Sequence, residues 1–276
     1  MRAAGAAQPR ADHTIDQQWQ RYGAEDHAIW RELFARQQGI LVDRAAPEFL
    51  AGLAGLGIAA DGIPEFERLS DVLDRATGWR IVAVPGLIPD DVFFGHLASR
   101  RFPATNWIRR REQMDYLQEP DVFHDLYGHV PLLLNPVFAD YLQAYGRGGL
   151  KALGLGALHN LARLYWYTVE FGLVKTPRGL RIYGSGIVSS KGESIYCLED
   201  AKPNRVAFDL MRIMRTNYRI DDFQECYFVI DSYEQLFDAT RPDFTPYYAE
   251  LESLGDIAPG ELVPEDRLVP LNPPRD

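Results

Sequence analysis

The sequence predicts an α+β fold, mainly helical, folded as one large domain with few short strands. Three observations carry that prediction. The chain has 276 residues, 46% of them hydrophobic, enough to bury a sizeable core. Apolar residues recur at helical spacing over most of its length, and only a few short runs bounded by glycine or proline look like strands.

In order, Trp19, Tyr22, Ile29, Trp30, Leu33 and Phe34 recur near helical spacing from Asp16 to Gln38 and stop before Gly39. Helices also suit Pro47 to Leu56 and Pro64 to Ala76, each bounded by glycine. Trp79 to Pro85 reads as a short strand closed by the turn Pro85-Gly86. Pro89 to Arg100 reads as a helix, with Pro89 near the first turn and Asp90 and Asp91 at the positive end of its dipole. A helix is expected from about Pro120 to Tyr127. Gly128 and Pro131 must disturb the backbone just beyond it, because Pro131 lacks an N–H and disfavours helical geometry at Val130. Longer helices fit Pro136 to Tyr145 and Leu155 to Val174. Arg181 to Ser190 is expected as a strand running into a glycine-containing loop, Asn204 to Arg215 as a helix, and Tyr227 to Ile230 as a strand.

Residues 263–276 carry Pro264, Pro270, Pro273 and Pro274 and read as an extended tail. Residues 1–12 contain small residues and arginines without the apolar run of a secretory signal, and read as a disordered leader. That leaves 13–262 as the single domain.

Charge and composition exclude several classes. A formal net charge of -10 repels a phosphate backbone, and Arg109-Arg110-Arg111 is too short to outweigh it, so nucleic acid is not expected as a partner. No stretch approaches the roughly 20 apolar residues that span a bilayer. Only Cys197 and Cys226 are present, which rules out a disulfide framework and fits a reducing, cytoplasmic setting. Both read as small core residues.

The chemistry concentrates in Pro120-Asp121-Val122-Phe123-His124-Asp125-Leu126-Tyr127-Gly128-His129-Val130-Pro131. His124 and His129 are five apart, and an undistorted helix, at about 100° per residue, would set them about 140° out of line. The pair therefore differs from His-Glu-x-x-His, whose histidines share a face. A backbone deviation near Gly128 and Pro131 would let both reach one ion. Glu170 lies in the aromatic run Tyr165-Trp166-Tyr167-Thr168-Val169-Glu170-Phe171-Gly172, where an unpaired carboxylate would cost several kcal/mol. A metal ion or a buried salt bridge would each satisfy it. Two imidazoles and a carboxylate suit Fe(II), Mn(II) or Zn(II), and leave open coordination positions. Asp125 reads either as an acceptor supporting a ligand or as a solvated helix residue.

Together with Tyr183-Gly184-Ser185-Gly186-Ile187-Val188-Ser189-Ser190 and Gly192-Glu193, these motifs give the chain a resemblance to the pterin-dependent aromatic amino acid hydroxylases, most closely the short bacterial members that act on phenylalanine. The resemblance spans roughly Gly78 to Ala239. It implies Fe(II) held by His124, His129 and Glu170, with O2 and a tetrahydropterin as co-substrates, the pterin being recycled by other enzymes. It implies hydroxylation of L-phenylalanine to L-tyrosine, the opening step of phenylalanine breakdown.

By the same resemblance Arg109 grips the amino acid carboxylate, for which a guanidinium fork is suited. Trp166 and Pro120 wall the substrate pocket, and Ser189 lies near the carboxylate. Phe93 stacks on the pterin, with Gly86, Leu87 and Ile88 reading its edge; Asp125 stands where other members have a glutamate near the pterin, a shorter side chain that would act through water, and Tyr165 lies near the iron. Leu117 and Pro103 depart from the animal pattern, which has threonine and histidine there. The animal enzymes' regulatory domain and tetramerising helix have no counterpart, so a monomer is expected.

Within the family it resembles, tryptophan-specific members tend to have phenylalanine at the position of Trp166 and tyrosine-specific members an acid at that of Ile220, so the resemblance implies phenylalanine, whose benzyl ring an apolar wall suits. The alternatives are a tyrosine or tryptophan hydroxylase, a zinc hydrolase using the same ligands to acidify water, and a helical binding protein without catalysis.

Overall fold

The computed structural model describes residues 8–115 and 117–271. Helix α1 (Ala24–Ile40) buries Ile29, Trp30, Leu33 and Phe34 along one face, the face expected from the spacing of the apolar residues. Helices α2 (Pro47–Leu56) and α3 (Phe66–Thr77) follow nearly as expected. Strand β1 (Arg80–Val84) then crosses through α4 (Asp90–Ala98) to β2 (Arg101–Thr105), and the two strands pair in parallel with Arg80 opposite Arg101. Sequence pattern missed β2 because Pro103 sits inside it. A two-stranded sheet has only edges, where a missing N–H is tolerated.

Around His124 the expected helix does not end at Tyr127. Its helical turns begin at Val122, and His124–His129 forms a π turn that runs into the 3-10 segment Val130–Leu134. Asn135 Oδ1 accepts from the Val137 and Phe138 amides and so caps α5 (Pro136–Gly154), which continues well past Tyr145.

The helix expected over Leu155 to Val174 is three elements. Helix α6 (Leu158–Tyr165) widens into a second π turn, Trp166–Glu170, and Leu173 then opens β3 (Leu173–Thr176). A short apolar run such as Phe171-Gly172-Leu173-Val174 has no period that separates helix from buried strand. Strand β4 (Gly179–Ile182) pairs back antiparallel on β3. The strand expected over Arg181 to Ser190 stops at Ile182 and gives way to the short helix α7 (Ser185–Val188), followed by α8 (Glu193–Glu199).

The helix expected from Asn204 is β5 (Asn204–Ala207) and α9 (Leu210–Arg215), the latter capped by Asp209 through the Arg212 amide. Strand β6 (Cys226–Ile230), buried at every position, completes a sheet ordered β4-β3-β6-β5. Helices α10 (Tyr233–Ala239) and α11 (Thr245–Leu251) close the described fold.

Residues 263–271 run without helix along the free edge of β5. Ala207 N–H donates to Arg267 O and Val269 N–H to Arg205 O, while Asp266 and Arg212 form a buried ion pair at 2.8 Å. At the other end Asp12 accepts from Thr14 Oγ1 at 2.7 Å and pairs with Arg101 at 3.0 Å. Residues 1–7 of the expected leader and 272–276 of the expected tail lie outside the described residues. Among the described residues no helix is long and apolar enough to cross a membrane.

Aromatic packing holds the first π turn against the helices before it. Trp30 meets Phe123 edge-on at 5.2 Å, and Phe34 and Phe49 meet Tyr127 at 5.5 and 5.7 Å. Burying each such ring stabilises the arrangement by about 1.5–3 kcal/mol.

Candidate metal centre

The π turn answers the spacing problem posed by His124 and His129. Its i→i+5 hydrogen bonding adds a residue to the turn and brings residues five apart onto one face. The two Nε2 atoms lie 3.1 Å apart. Glu170 arrives from the end of the second π turn, its Oε1 3.1 Å from His129 Nε2 and its Oε2 3.7 Å from His124 Nε2. The chain thus uses the same local distortion twice, once for each side of the site.

These separations test whether a metal fits. Two donors bound at right angles to one ion, with bonds of about 2.1 Å, stand about 3 Å apart. All three groups offer donor atoms within 4.8 Å of one another, on one face as an octahedral two-histidine, one-carboxylate site requires. The ligand set contains no thiolate, and Cys197 and Cys226 are buried free thiols away from the cluster. The residues fit Fe(II).

Close backbone approach makes the cluster possible. A Cβ on Gly128 would stand 2.9 Å from Ser185 O, and one on Gly184 would stand 2.4 Å from Glu170 O. Glycine at both positions lets α7 press against the two π turns and deliver two serines. Ser185 Oγ lies 2.9 Å from Glu170 Oε2 and 3.0 Å from Val169 O. Ser189 Oγ donates to Ser185 O at 2.8 Å and so accepts from His124 Nδ1, 2.9 Å away. That contact places the proton of His124 on Nδ1 and leaves the Nε2 lone pair facing the site.

Burial pushes the His124 imidazole down to about 4, helped by the charge of His129. Burial works the same way on His129, but the charge and hydrogen bond of Glu170 outweigh it and raise that imidazole above its usual value. Burial alone would raise the Glu170 carboxyl; His129, His124 and Ser185 hold it near about 2. The proton shared across His129 and Glu170 is the one a metal would displace.

Ser189→Ala will lower iron affinity by about 10–100-fold, the usual cost of removing a ligand's outer partner, while the fold persists. Titration of the metal-free protein with Fe(II) measures it, and unchanged affinity would show that Ser189 does not orient His124.

The other residues singled out in the sequence cluster around this centre. Asp125 is buried and accepts from Thr105 N–H and Oγ1 at 2.7 and 2.9 Å, which ties the π turn to the end of β2. Burial pushes its carboxyl up to about 7. Phe102 on β2 packs 5.1 Å from the His129 ring. Tyr165 lies 6.3 Å from that ring, and the half-buried Phe93 lies 6.1 Å from Tyr165. Gly86, Leu87 and Ile88 form the loop that leads into α4, with Leu87 79% exposed.

Arg109 is not a free fork. Its Nε and Nη2 donate to Asp121 at 2.8 and 2.9 Å, and only Nη1 stands outside that pair. Both residues are buried. Asp121 also accepts from the Arg109 and His124 amides, so it caps the helical turns that carry His124. Its position three residues before His124 is the N-cap spacing that could have exposed this role in the sequence.

Trp166 stacks on Tyr218 at 4.2 Å and packs 4.9 Å from Phe171, and its Nε1 donates to Gln224 at 2.9 Å. Ile220 is 74% exposed, so the apolar side chain expected to contribute a wall there points away from the packed rings of Trp166, Phe171 and Tyr218 into solvent. Pro120 and Leu117 lie half-buried ahead of the π turn.

Ser185, Gln224 and Glu193 escaped sequence reasoning as site residues. Glu193 is buried, accepts from Tyr227 Oη and the Gln224 amide, and is pushed up by burial to about 7 from 4.5. A carboxyl raised on folding stabilises below its unfolded value and loses that contribution as pH rises through the folded one. The wild-type Tm will therefore fall relative to Glu193→Gln between about pH 4.5 and about pH 7. Parallel melting curves test this, and a pH-independent difference would overturn it.

Comparison with known proteins agrees with the geometry. Residues 6–250 match the model of the biopterin-dependent aromatic amino acid hydroxylases. A phenylalanine-4-hydroxylase of Ralstonia nicotianae is 65% identical over 260 residues, covering 94% of this chain and 83% of that one. The human tyrosine 3-monooxygenase is 36% identical over 224 residues, 80% of this chain and 42% of that one. The iron- and phenylalanine-bound crystal structure of the Chromobacterium violaceum phenylalanine hydroxylase superposes with a TM-score of 0.92 and 61% identity, over 96% of this chain and 97% of that one. With the fold, the facial triad and the sequence match in agreement, the chain belongs to the biopterin-dependent aromatic amino acid hydroxylase family.

Proposed function

We infer that the protein is a phenylalanine 4-monooxygenase, an iron- and tetrahydropterin-dependent enzyme that converts L-phenylalanine to L-tyrosine with O2. The observation that carries the reading is the His124–His129–Glu170 face beside the aromatic wall of Trp166 and Phe171, in a chain so close to phenylalanine-4-hydroxylases. When bound, iron offers open coordination positions to O2, and the tetrahydropterin supplies the two electrons that let one oxygen atom enter the ring while the other is reduced.

The chain's own part is binding, orientation and exclusion of water. His124, His129 and Glu170 hold the metal, with Ser189 and Ser185 fixing which atoms face it. Arg109, set by Asp121, directs Nη1 to the substrate carboxylate, and Ser189 lies close enough to the ligands to assist. Trp166 and Pro120 face the benzyl ring. Phe93 and the Gly86, Leu87 and Ile88 loop take the pterin, with Asp125 holding the adjoining turn. Tyr165, whose hydroxyl burial pushes well above its usual value, remains neutral and seals the inner side. Asp125 Oδ2 is engaged by Thr105 N–H and Oγ1, so that oxygen serves the fold and not the general base a zinc hydrolase needs.

The protein acts as a single catalytic domain over residues 13–262, as a cytoplasmic monomer, with separate enzymes recycling the pterin. Its two unpaired cysteines support a reducing compartment. The test is oxygen consumption with phenylalanine, tyrosine and tryptophan in parallel, with Fe(II) and tetrahydropterin. Pterin-dependent tyrosine formation from phenylalanine is expected. Preference for tyrosine or tryptophan, or pterin-independent hydrolysis with zinc, would overturn the reading.

A further inference from the structure

We propose that Gln224 is a positioning residue for the substrate pocket, holding the Trp166 indole in place while the buried Glu193 fixes Gln224 from behind. The proposal rests on the reading that Trp166 walls the phenylalanine site.

Trp166 is held by two contacts from one loop. Tyr218 stacks on its face at 4.2 Å with the rings 15° from parallel, and Gln224 Oε1 accepts from its Nε1 at 2.9 Å. An indole N–H can only donate, so the Gln224 amide has one orientation available. Its Nε2 agrees, donating to Arg219 O at 2.7 Å within the same loop. Gln224 is 2% exposed, so its amide and not solvent fills the position that meets the indole N–H. The backbone of Gln224 is in turn held by Glu193, which accepts its N–H at 3.1 Å and also the Tyr227 hydroxyl.

Placement gives this arrangement its consequence. Trp166 opens the π turn that ends at the metal ligand Glu170, and it packs on Phe171, which follows that ligand. A Cβ on Gly186 would touch both Phe171 and Glu170, so the wall and the ligand share one packed unit. An indole free to rotate would change pocket width beside the metal. Glu193 belongs to the Gly192-Glu193 motif, and this arrangement accounts for a carboxyl that touches neither metal nor substrate.

A double-mutant cycle on the iron-loaded enzyme tests the proposal. Gln224→Leu is expected to raise the phenylalanine KM about tenfold, the scale of a buried donor left without its acceptor, with a smaller change in kcat. Gln224→Glu keeps an acceptor for Nε1 but, once ionised, sets a carboxylate oxygen against Arg219 O; it is expected to stay within about threefold of wild type only at a pH low enough to keep that carboxyl protonated and donating as the amide does, so the idea remains testable if the leucine variant folds poorly. In a Trp166→Phe background no N–H remains, and Gln224→Leu should change KM by no more than about twofold. Tryptophan fluorescence, with the Trp166→Phe spectrum subtracted, supplies a readout independent of turnover, and a shifted Trp166 emission is expected in Gln224→Leu.

Additive KM effects across the cycle, or unchanged Trp166 emission, would overturn the proposal. If the wild type forms no tyrosine, the functional reading fails, while the fluorescence still reports whether Gln224 holds the indole.

Discussion

Glu170→Ala will lose bound iron and tyrosine formation together while the chain stays folded. Its carboxylate closes the facial triad at 3.1 Å from His129 Nε2; without it, two imidazoles alone face the ion. Disturbing a mere outer partner costs about 10–100-fold in metal affinity, so loss of the ligand itself should exceed that. The fold is expected to survive because Ser185 keeps Val169 O as an alternative acceptor at 3.0 Å. Iron content after anaerobic loading, tyrosine formation and thermal melting measure the three effects. Fe(II) at a hundredfold excess over its dissociation constant adds about 2.7 kcal/mol of stability to a protein that binds it, so Fe(II) should raise the wild-type Tm and leave the variant's unchanged. Wild-type turnover in the variant would refute the triad.

Asp121→Ala will damage the fold more than any ligand substitution. Asp121 is fully buried and accepts from Arg109 Nε, Nη2 and N–H and from the His124 amide. Removing it strands a buried guanidinium, which costs about 3–5 kcal/mol, or on the order of 10 °C in Tm for a chain of this size. Function should suffer as well, since the same substitution frees the Arg109 fork and uncaps the turn that carries His124. Thermal melting and phenylalanine binding should therefore both move. An unchanged Tm would mean that water reaches Arg109 and replaces the pair.

The legible parts of the fold were those whose cause is local. The apolar stripe of α1, the proline and acids at the start of α4, and the aromatic and β-branched run of β6 each declare themselves within a few residues. β2, β3 and β5 did not. Each is stabilised by a distant partner, β2 by β1 and β5 by β6, and their short apolar or proline-containing sequences carry no decisive period. The candidate metal ligands were legible because their residue types are costly to bury without a partner. Ser185 and Gln224 were not, because an isolated serine or glutamine is ordinary in any sequence.

Side-chain chemistry and motif order, both present in the linear chain, were enough for the α+β class, the family and the reaction, and they named the three residues that the structure brings together as a candidate metal centre. The joint geometry needed the fold: two histidines five apart face one point because the backbone takes a π turn, and Glu170 joins them through a second. Glycine at 128 and 184 permits those approaches, but which segment fills the space depends on packing between residues far apart in the chain. The same holds for Arg109, to which the family resemblance assigned a carboxylate grip and the residues alone a surface cation. The structure shows two of its donors already committed to Asp121, an ion pair formed only when the chain closes on itself.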